Sequence, residues 1–408
     1  MPEKKPYFRH LPPTAVRVKG RDVWGGISAS LNEQGAWEHF RSALIRQAGS
    51  TNCYLVSSGR TGLALILMGL KQLSGRKRVA VPAYVCPTVV QSVLKAGLEP
   101  VFCDISPETL DLDRQALGEL IDSDLLAVVP VHLYGWAQDV RDLIALGKRD
   151  GFFVIEDSAQ AYGAKFCGRM VGTWGDAGYY SLGRGKCIPV GHGGIVVAQE
   201  QLATVLDNVI KTTLPKPPRF DISTLALFLG YAVATHPMGW WFLSRSQWNP
   251  ADAGMDAEEL PPISLNGLSA VKAGIGSSIL ARLDQVQAVS CHNARQLMEQ
   301  LSEFDFAKIP QIAPEAEPIF LRLPIVLEDE KRVEKIFDGL SQAGIGVSRS
   351  YSRTIPDLYA NDFPSHGKEY PGASQLAACL LTLPTHAYLR EEDIDRIVGV
   401  FKNIDHQN

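Results

Sequence analysis

The 408-residue chain predicts an α/β protein: a large domain with a mostly parallel central sheet flanked by helices, then a smaller C-terminal α+β domain. Three observations carry this. Apolar runs such as LLAVVPV and FFVIED are nearly continuous, as in strands covered on both faces, and helical segments separate them. The polar residues Ser58, His132, Asp157, Gln160 and Ser181 fall at the ends of these runs, where open parallel sheets bind ligands. The length is enough for two cores, placed at residues 1–260 and 261–408.

In order, LVSSGRTGLALILMGL reads as a strand end, a turn at Ser58-Gly59 and an apolar helix. RVAVPAYV is a strand, TVVQSVLKAGL a helix and EPVFCDI a strand. LLAVVPVHLYG reads as one continuous strand, and VRDLIALGKRDG as a helix with a glycine stop. FFVIEDSAQA, AGYYSL and GGIVVA complete the strands of the large domain. Residues 211–262 are irregular and rich in proline and tryptophan. Within them Ile222–Ser244 carries no formal charge, and reads as a buried or pocket-lining helix followed by a turn. The other reading is a peripheral membrane anchor over 222–248, with Trp240, Trp241 and Trp248 at the headgroups. The stretch from Leu268 to Leu301 reads as one long amphipathic helix. The smaller domain follows as strand PIFLRLPIVL, helix DEKRVEKIFDGLSQAG, strand IGVSRS, a long loop and a helix EEDIDRIVGVFKNI.

Composition narrows the function. Apolar residues make up 46% and charged residues 21%, as in an ordinary globular protein. A net charge of -4 with no basic run gives no footprint for nucleic acid. Seven cysteines without a CxxC pair fit a reducing cytosol, and no metal centre is expected from their spacing. The charged, proline-rich first twenty residues do not read as a secretory signal, so a cytoplasmic protein is expected.

One cation stands out. In YYSLGRGKCIPVGHGGIVVA, Lys186 sits in a glycine-rich turn between two buried strands. A P-loop is excluded, because Tyr180 and Cys187 stand where glycine and a hydroxyl are required. No GxGxxG follows the first strand. A Schiff-base lysine remains, needing a partly neutral amine and an anchored aldehyde cofactor. Pyridoxal phosphate also wants a buried carboxylate at its ring nitrogen, and Asp157 ends an apolar strand. By strand alternation Ala159 shares the side of Asp157 and would lie flat against the ring. The phosphate wants a helix N-terminus and hydroxyls, which Gly59-Arg60-Thr61 and Ser181 supply. Each residue has a plainer reading: a loop lysine, a helix-capping aspartate, a structural His132, a strand serine, a surface Arg60.

The order SSGRTGLAL, VPAYVCPT, EPVFCDISPETLDLD, VVPVHLYG, VIEDSAQAYGAKFCGRMVGTWGDAGYYSL, a lysine and GHGG resembles the DegT/StrS sugar-aminotransferase family. These are fold-type I pyridoxal-phosphate enzymes of the aspartate aminotransferase superfamily. The ending ASQLAACLLTLPTHAYLREEDIDRIVGVF fits the same family. The resemblance implies that Lys186 carries pyridoxal 5'-phosphate, that Asp157 pairs with the ring nitrogen and that Gln160 contacts the ring hydroxyl or the imine. It implies that Ser181 and the backbone at Arg60 and Thr61 hold the phosphate, with His132 on the active-site side. It further implies amino transfer from an amino acid, L-glutamate by expectation, to a keto-sugar on a nucleotide, within a homodimer. Other readings are a non-sugar ketone, such as a cyclitol or an acyl chain, a dehydratase, or a non-catalytic relative; the family's dehydratases carry histidine in place of the lysine.

Three departures from the family pattern stand out. Cys86 occupies the place of the aromatic residue that stacks on the cofactor, so that Tyr84 would have to cover the ring. The block that sends an asparagine to the neighbouring subunit's phosphate reads ISLNGLS, with Leu265 aligned and Asn266 next to it; Arg184 is a candidate replacement clamp. The 211–262 region is expanded, and would line a substrate pocket or thicken the dimer contact.

Overall fold

A computed structural model describes residues 9–50, 52–215, 221–245, 260–363 and 368–406. Trp248 lies outside the described residues, as does most of the second half of the 211–262 region. The strands are β1 Cys53–Val56, β2 Arg78–Pro82, β3 Glu99–Cys103, β4 Leu125–Val128, β5 Phe153–Asp157, β6 Lys165–Phe166, β7 Arg169–Met170, β8 Ala177–Ser181, β9 Gly194–Ala198, β10 Ala307–Lys308, β11 Ala316–Glu317, β12 Leu323–Leu327 and β13 Leu380–Leu383.

Seven of them form one sheet in the order β1-β9-β8-β5-β4-β2-β3. The pairs β8–β5, β5–β4, β4–β2 and β2–β3 are parallel, and β9 runs antiparallel to both its neighbours. The carboxyl ends of β1, β5 and β8 therefore meet the start of β9 at one edge. Helices Gly59–Leu73 and Glu200–Thr213 pack together on one face of this sheet. The first begins at Ser58, whose Oγ accepts from Thr61 N at 3.1 Å. Ten of its residues are buried, which explains an apolar stretch with no polar stripe.

Helices Gly20–Leu31 and Glu33–Ala48 precede the sheet, and the first crosses helix Ala270–Leu280 at two glycines. A Cβ on Gly274 would stand 2.2 Å from Gly25 O, so only glycine permits this approach. A three-stranded antiparallel sheet, β10-β12-β13, holds the second core with helices Glu330–Gln342 and Glu391–Asp405. The segment before Gly20 reaches this sheet's side: Arg9 pairs with Asp393 at 2.6 Å, and His386 Nε2 lies 2.8 Å from Pro12 O.

Several expectations are corrected. LLAVVPVHLYG is not one strand: β4 stops at Val128, Pro130 has no N–H to give the ladder, and Leu133–Gly135 is a tight turn with Tyr134 at φ 57°. The long helix is two, Ala270–Leu280 and Leu283–Leu301. The break falls at Arg282, whose buried guanidinium donates to Arg17 O and Asp22 Oδ2, both at 2.7 Å. IGVSRS forms only a single bridge, Ser348 to Thr382, and the third strand of that sheet is β13, from the LLTL of the C-terminal block.

The uncharged Ile222–Ser244 segment is not a buried helix and turn. It forms two helices, Ile222–Thr235 and Pro237–Leu243, divided where Pro237 opens the second. Leu227, Val233 and Phe242 are 63%, 67% and 64% exposed, so much of their apolar face meets solvent. No described helix is long and apolar enough to cross a membrane.

Candidate active site

Asp157 and Glu156 end β5 and point to opposite faces, as neighbours on a strand must. Glu156 is fully buried and accepts from Trp174 N (2.6 Å), Gly175 N (2.8 Å), Gly172 N (2.8 Å) and His132 Nε2 (3.0 Å). His132 Nδ1 accepts from Gln138 N at 3.0 Å, which puts its proton on Nε2. Both ring nitrogens are thus used in holding the loop behind the sheet, while its own N–H donates to Asp157 O. His132 therefore stands beside Asp157 with no ring nitrogen to spare.

Asp157 faces the site. Its Oδ1 accepts from Ala159 N at 2.9 Å, and the hydroxyl of Tyr179, its cross-strand neighbour on β8, also bonds to it. Burial pushes its carboxyl up, against the pull of Tyr179, the Ala159 N–H, Lys186 and His132. The alternation that would place Ala159 beside Asp157 ends here: β5 stops at Asp157, and the chain turns so that Ala159 is tied to the carboxylate by its N–H.

Lys186 lies on the β8–β9 loop. Its N–H donates to Gly183 O at 3.3 Å, and Gly183 N donates to Ser181 Oγ at 3.2 Å. Burial lowers its amine, and the Arg322 charge adds to this; Cys86, Asp157 and Cys187 act in the opposite direction. Cys86 is therefore a near neighbour of the lysine, and its Sγ is 3.0 Å from Thr88 Oγ1.

The helix Gly59–Leu73 points its N-terminus at the same place. A Cβ on Gly59 would stand 3.2 Å from Ser181 Cβ, and one on Gly194 only 2.4 Å from Ser58 O. Two glycines thus let β9, Ser181 and the helix start close up. Thr61 N is used by the Ser58 cap and its hydroxyl by Ser264 O at 3.0 Å, which leaves the first-turn N–H groups of Gly59 and Arg60 without intrahelical acceptors. The Arg60 side chain points away, to Pro261 O (2.9 Å) and Gln91 Oε1 (3.2 Å). Arg184 is exposed, and its charge acts on His192 together with those of Lys272 and Arg60. The block containing Leu265 and Asn266 lies against its own chain: Ser57 N donates to Asn266 O at 2.8 Å, and Gly267 bridges to Val56.

Gln160 bridges two tyrosines. Its Oε1 accepts from Tyr134 N at 3.1 Å and its Nε2 donates to Tyr351 Oη at 3.2 Å. Tyr84 is buried, with its hydroxyl 3.2 Å from that of Tyr134 and its ring edge-on to Tyr351 at 5.3 Å. Tyr134 and Tyr179 lie within the family-like blocks but the sequence assigns them no role, and Tyr351 and Arg322 lie in none; the tertiary fold brings Tyr134, Tyr351 and Arg322 to Lys186.

These groups suit pyridoxal phosphate. An amine lowered by burial, a buried carboxyl without a cation bonded to it, and a helix N-terminus with Ser181 alongside are the three anchors that cofactor requires. Lys186 would hold the aldehyde carbon, Asp157 the ring nitrogen, and Ser181 with the Gly59 and Arg60 N–H groups the phosphate.

Known proteins resemble this chain over most of its length. Residues 30–211 and 263–402 match the DegT/DnrJ/EryC1/StrS aminotransferase family. GDP-perosamine synthase from Caulobacter vibrioides is 26% identical over 388 residues, covering 90% of this chain and 89% of that protein. An L-glutamine:2-deoxy-scyllo-inosose aminotransferase from Streptomyces fradiae is 32% identical over 190 residues, 47% of this chain; the match spans under half, 45%, of that protein. Among solved structures, PseC from Helicobacter pylori, an aminotransferase in pseudoaminic acid biosynthesis, superposes with a TM-score of 0.78 at 18% identity, covering 98% of this chain and all of that one. An Escherichia coli GDP-4-keto-6-deoxy-D-mannose-3-dehydratase with bound hydrated pyridoxal phosphate gives 0.74 at 18%, covering 97% of this chain and 100% of that one. These two likenesses establish the fold. With 322 residues matched in two blocks (182 and 140), this chain belongs to the DegT/DnrJ/EryC1/StrS aminotransferase family of pyridoxal-phosphate enzymes.

Proposed function

We propose that this protein moves an amino group from an α-amino acid to the ketone of a nucleotide-linked sugar, using pyridoxal phosphate. The observation that carries this is the Lys186 amine, lowered by burial, beside the buried Asp157 carboxyl. When bound, the cofactor supplies an electron sink for the carbanion formed at the donor's α-carbon. Lys186 Nζ, freed when the donor binds, would take the proton from the donor's α-carbon. Its lowered pKa favours the neutral amine that this step requires. Asp157 would pair with the cofactor's ring nitrogen and keep it protonated. Tyr84 and Tyr351 stand near Cys86 and would take the part of the missing aromatic ring.

The sugar acceptor is favoured by GDP-perosamine synthase, a relative matched over 89% of its length. A cyclitol ketone is the second reading, favoured by the Streptomyces fradiae protein, whose name also points to L-glutamine as donor. The exposed apolar face over Leu227, Val233 and Phe242 supports a homodimer contact, or contact with a membrane surface. Flotation with liposomes separates these two: no co-migration at low salt removes the membrane reading. Cytoplasmic location is part of the same proposal, supported by free cysteines throughout the described residues.

The test is the visible spectrum of the protein with pyridoxal phosphate. A band present in the wild type and absent in Lys186→Ala, which changes on adding L-glutamate or L-glutamine, is the expected result. A band that no amino acid alters would refute amino transfer. No band in either protein would make Lys186 a structural loop residue.

A further inference from the structure

Arg322 immediately precedes β12, and the family motifs assign it nothing. The segment leading to it crosses the Tyr134 turn: Ile319 N donates to Gly135 O at 3.1 Å, and a Cβ on Gly135 would lie 3.0 Å from Leu321 N. This brings Arg322 to the side of the site formed by Tyr134, Tyr351 and Gln160. Its Nε is buried with no hydrogen-bond partner. Among the described residues the side chain makes no hydrogen bond or ion pair, whereas the buried Arg282, whose Nε is likewise without a partner, is bonded through its terminal nitrogen to Asp22 at 2.7 Å. A part-buried guanidinium without a counter-ion is costly unless an anion arrives to pair with it. Its charge acts on the Lys186 amine and on the Tyr134 and Tyr351 hydroxyls, in keeping with that placement.

We propose that Arg322 is the anion-binding residue of the amino-donor subsite and takes the α-carboxylate of the incoming amino acid. This rests on the reading of Lys186 as the cofactor-bearing lysine. The donor's nitrogen takes the place of the Lys186 amine, and its carboxylate is attached one carbon away. An anion-binding group beside that amine is therefore where a donor carboxylate needs one. The cofactor phosphate has its own donors at Gly59, Arg60 and Ser181. A planar guanidinium also matches a carboxylate with two parallel hydrogen bonds, which a lysine does not provide.

The experiment uses the full chain loaded with pyridoxal phosphate, as wild type, Arg322→Gln and Arg322→Lys. Three readings are taken: the cofactor band, the L-glutamate and L-glutamine concentrations that half-saturate its change, and calorimetric binding of succinate, an unreactive dicarboxylate. The expected result for Arg322→Gln is an unchanged band, a half-saturating concentration raised about 10- to 100-fold, and succinate binding weakened to match. Arg322→Lys should fall between, and it carries the test if Arg322→Gln does not fold. Propylamine, which lacks a carboxylate, should act on all three proteins alike. Equal half-saturation and equal succinate binding in wild type and Arg322→Gln would overturn the proposal. So would a lost cofactor band in a variant that keeps its thermal midpoint, since Arg322 would then hold the phosphate. If no amino acid alters the wild-type band, amino transfer itself fails; weaker succinate binding in Arg322→Gln would still support the anion site.

Discussion

Glu156 and Asp157 are adjacent acids and both buried, yet their surroundings give them different roles. Replacing each carboxylate by its amide separates the two. In Glu156→Gln the amide oxygen can keep two of the four donors, Trp174 N and Gly175 N. The new NH₂ group would face the other two, Gly172 N and His132 Nε2. His132 cannot move its proton to Nδ1, because that atom accepts from Gln138 N. Two buried donors are left unpaired at about 1–3 kcal/mol each, so the variant loses about 2–6 kcal/mol. That is a large share of the roughly 5–15 kcal/mol that stabilises a typical domain. Asp157→Asn keeps an oxygen for Ala159 N, and burial already disfavours the charged carboxylate. Its stability should stay within about 1 kcal/mol of wild type. Guanidinium unfolding of the cofactor-free proteins, followed by circular dichroism, measures both. Cofactor titration of Asp157→Asn should still give a band, one that amino acids barely alter. A stable Glu156→Gln, or an Asp157→Asn that loses more than about 3 kcal/mol, would refute this division of labour.

Two further outcomes follow from the geometry. Gly194→Ala would put a methyl 2.4 Å from Ser58 O and 2.7 Å from Gly59 N, both backbone atoms. A loss of about 1–3 kcal/mol is expected, with weaker cofactor binding as the helix start is pushed from Ser181; an absorbance titration checks it. His386 is buried, donates from Nε2 to Pro12 O and accepts at Nδ1 from Tyr388 N, and its pKa is lowered from 6.5 to about 4 by burial. The unfolded chain takes up a proton first as pH falls, so stability is full above pH 6.5 and is lost between 6.5 and about 4. The loss approaches about 3 kcal/mol, and His386→Gln should flatten that part of the pH–stability curve. An unchanged slope in the variant would place the acid sensitivity elsewhere.

Local patterns sufficed for the elements whose apolar character matches their length. The strands β2, β3, β5, β8 and β9 and the helix at 59–73 lie where the sequence indicates. The readings that failed did so where tertiary contacts override continuity. Pro130 and the Tyr134 turn cut LLAVVPVHLYG short, and Arg282 left helical geometry to reach Asp22. The apolar segment LAACLLTL divided into the end of helix Pro371–Cys379 and β13, a boundary that periodicity alone does not mark.

The site has the same divide. By themselves the residues specified a lysine in a glycine-rich turn, an acid ending a buried strand and a helix opening at Gly59, because each needs only its neighbours in the chain. The tertiary structure decided which of two adjacent acids faces the lysine, and that His132 is used up behind the sheet. It also decided that Arg60 turns away and that Arg322, Tyr134 and Tyr351 arrive from distant segments. Side-chain direction and burial are set by packing between elements far apart in sequence, and no local pattern encodes them.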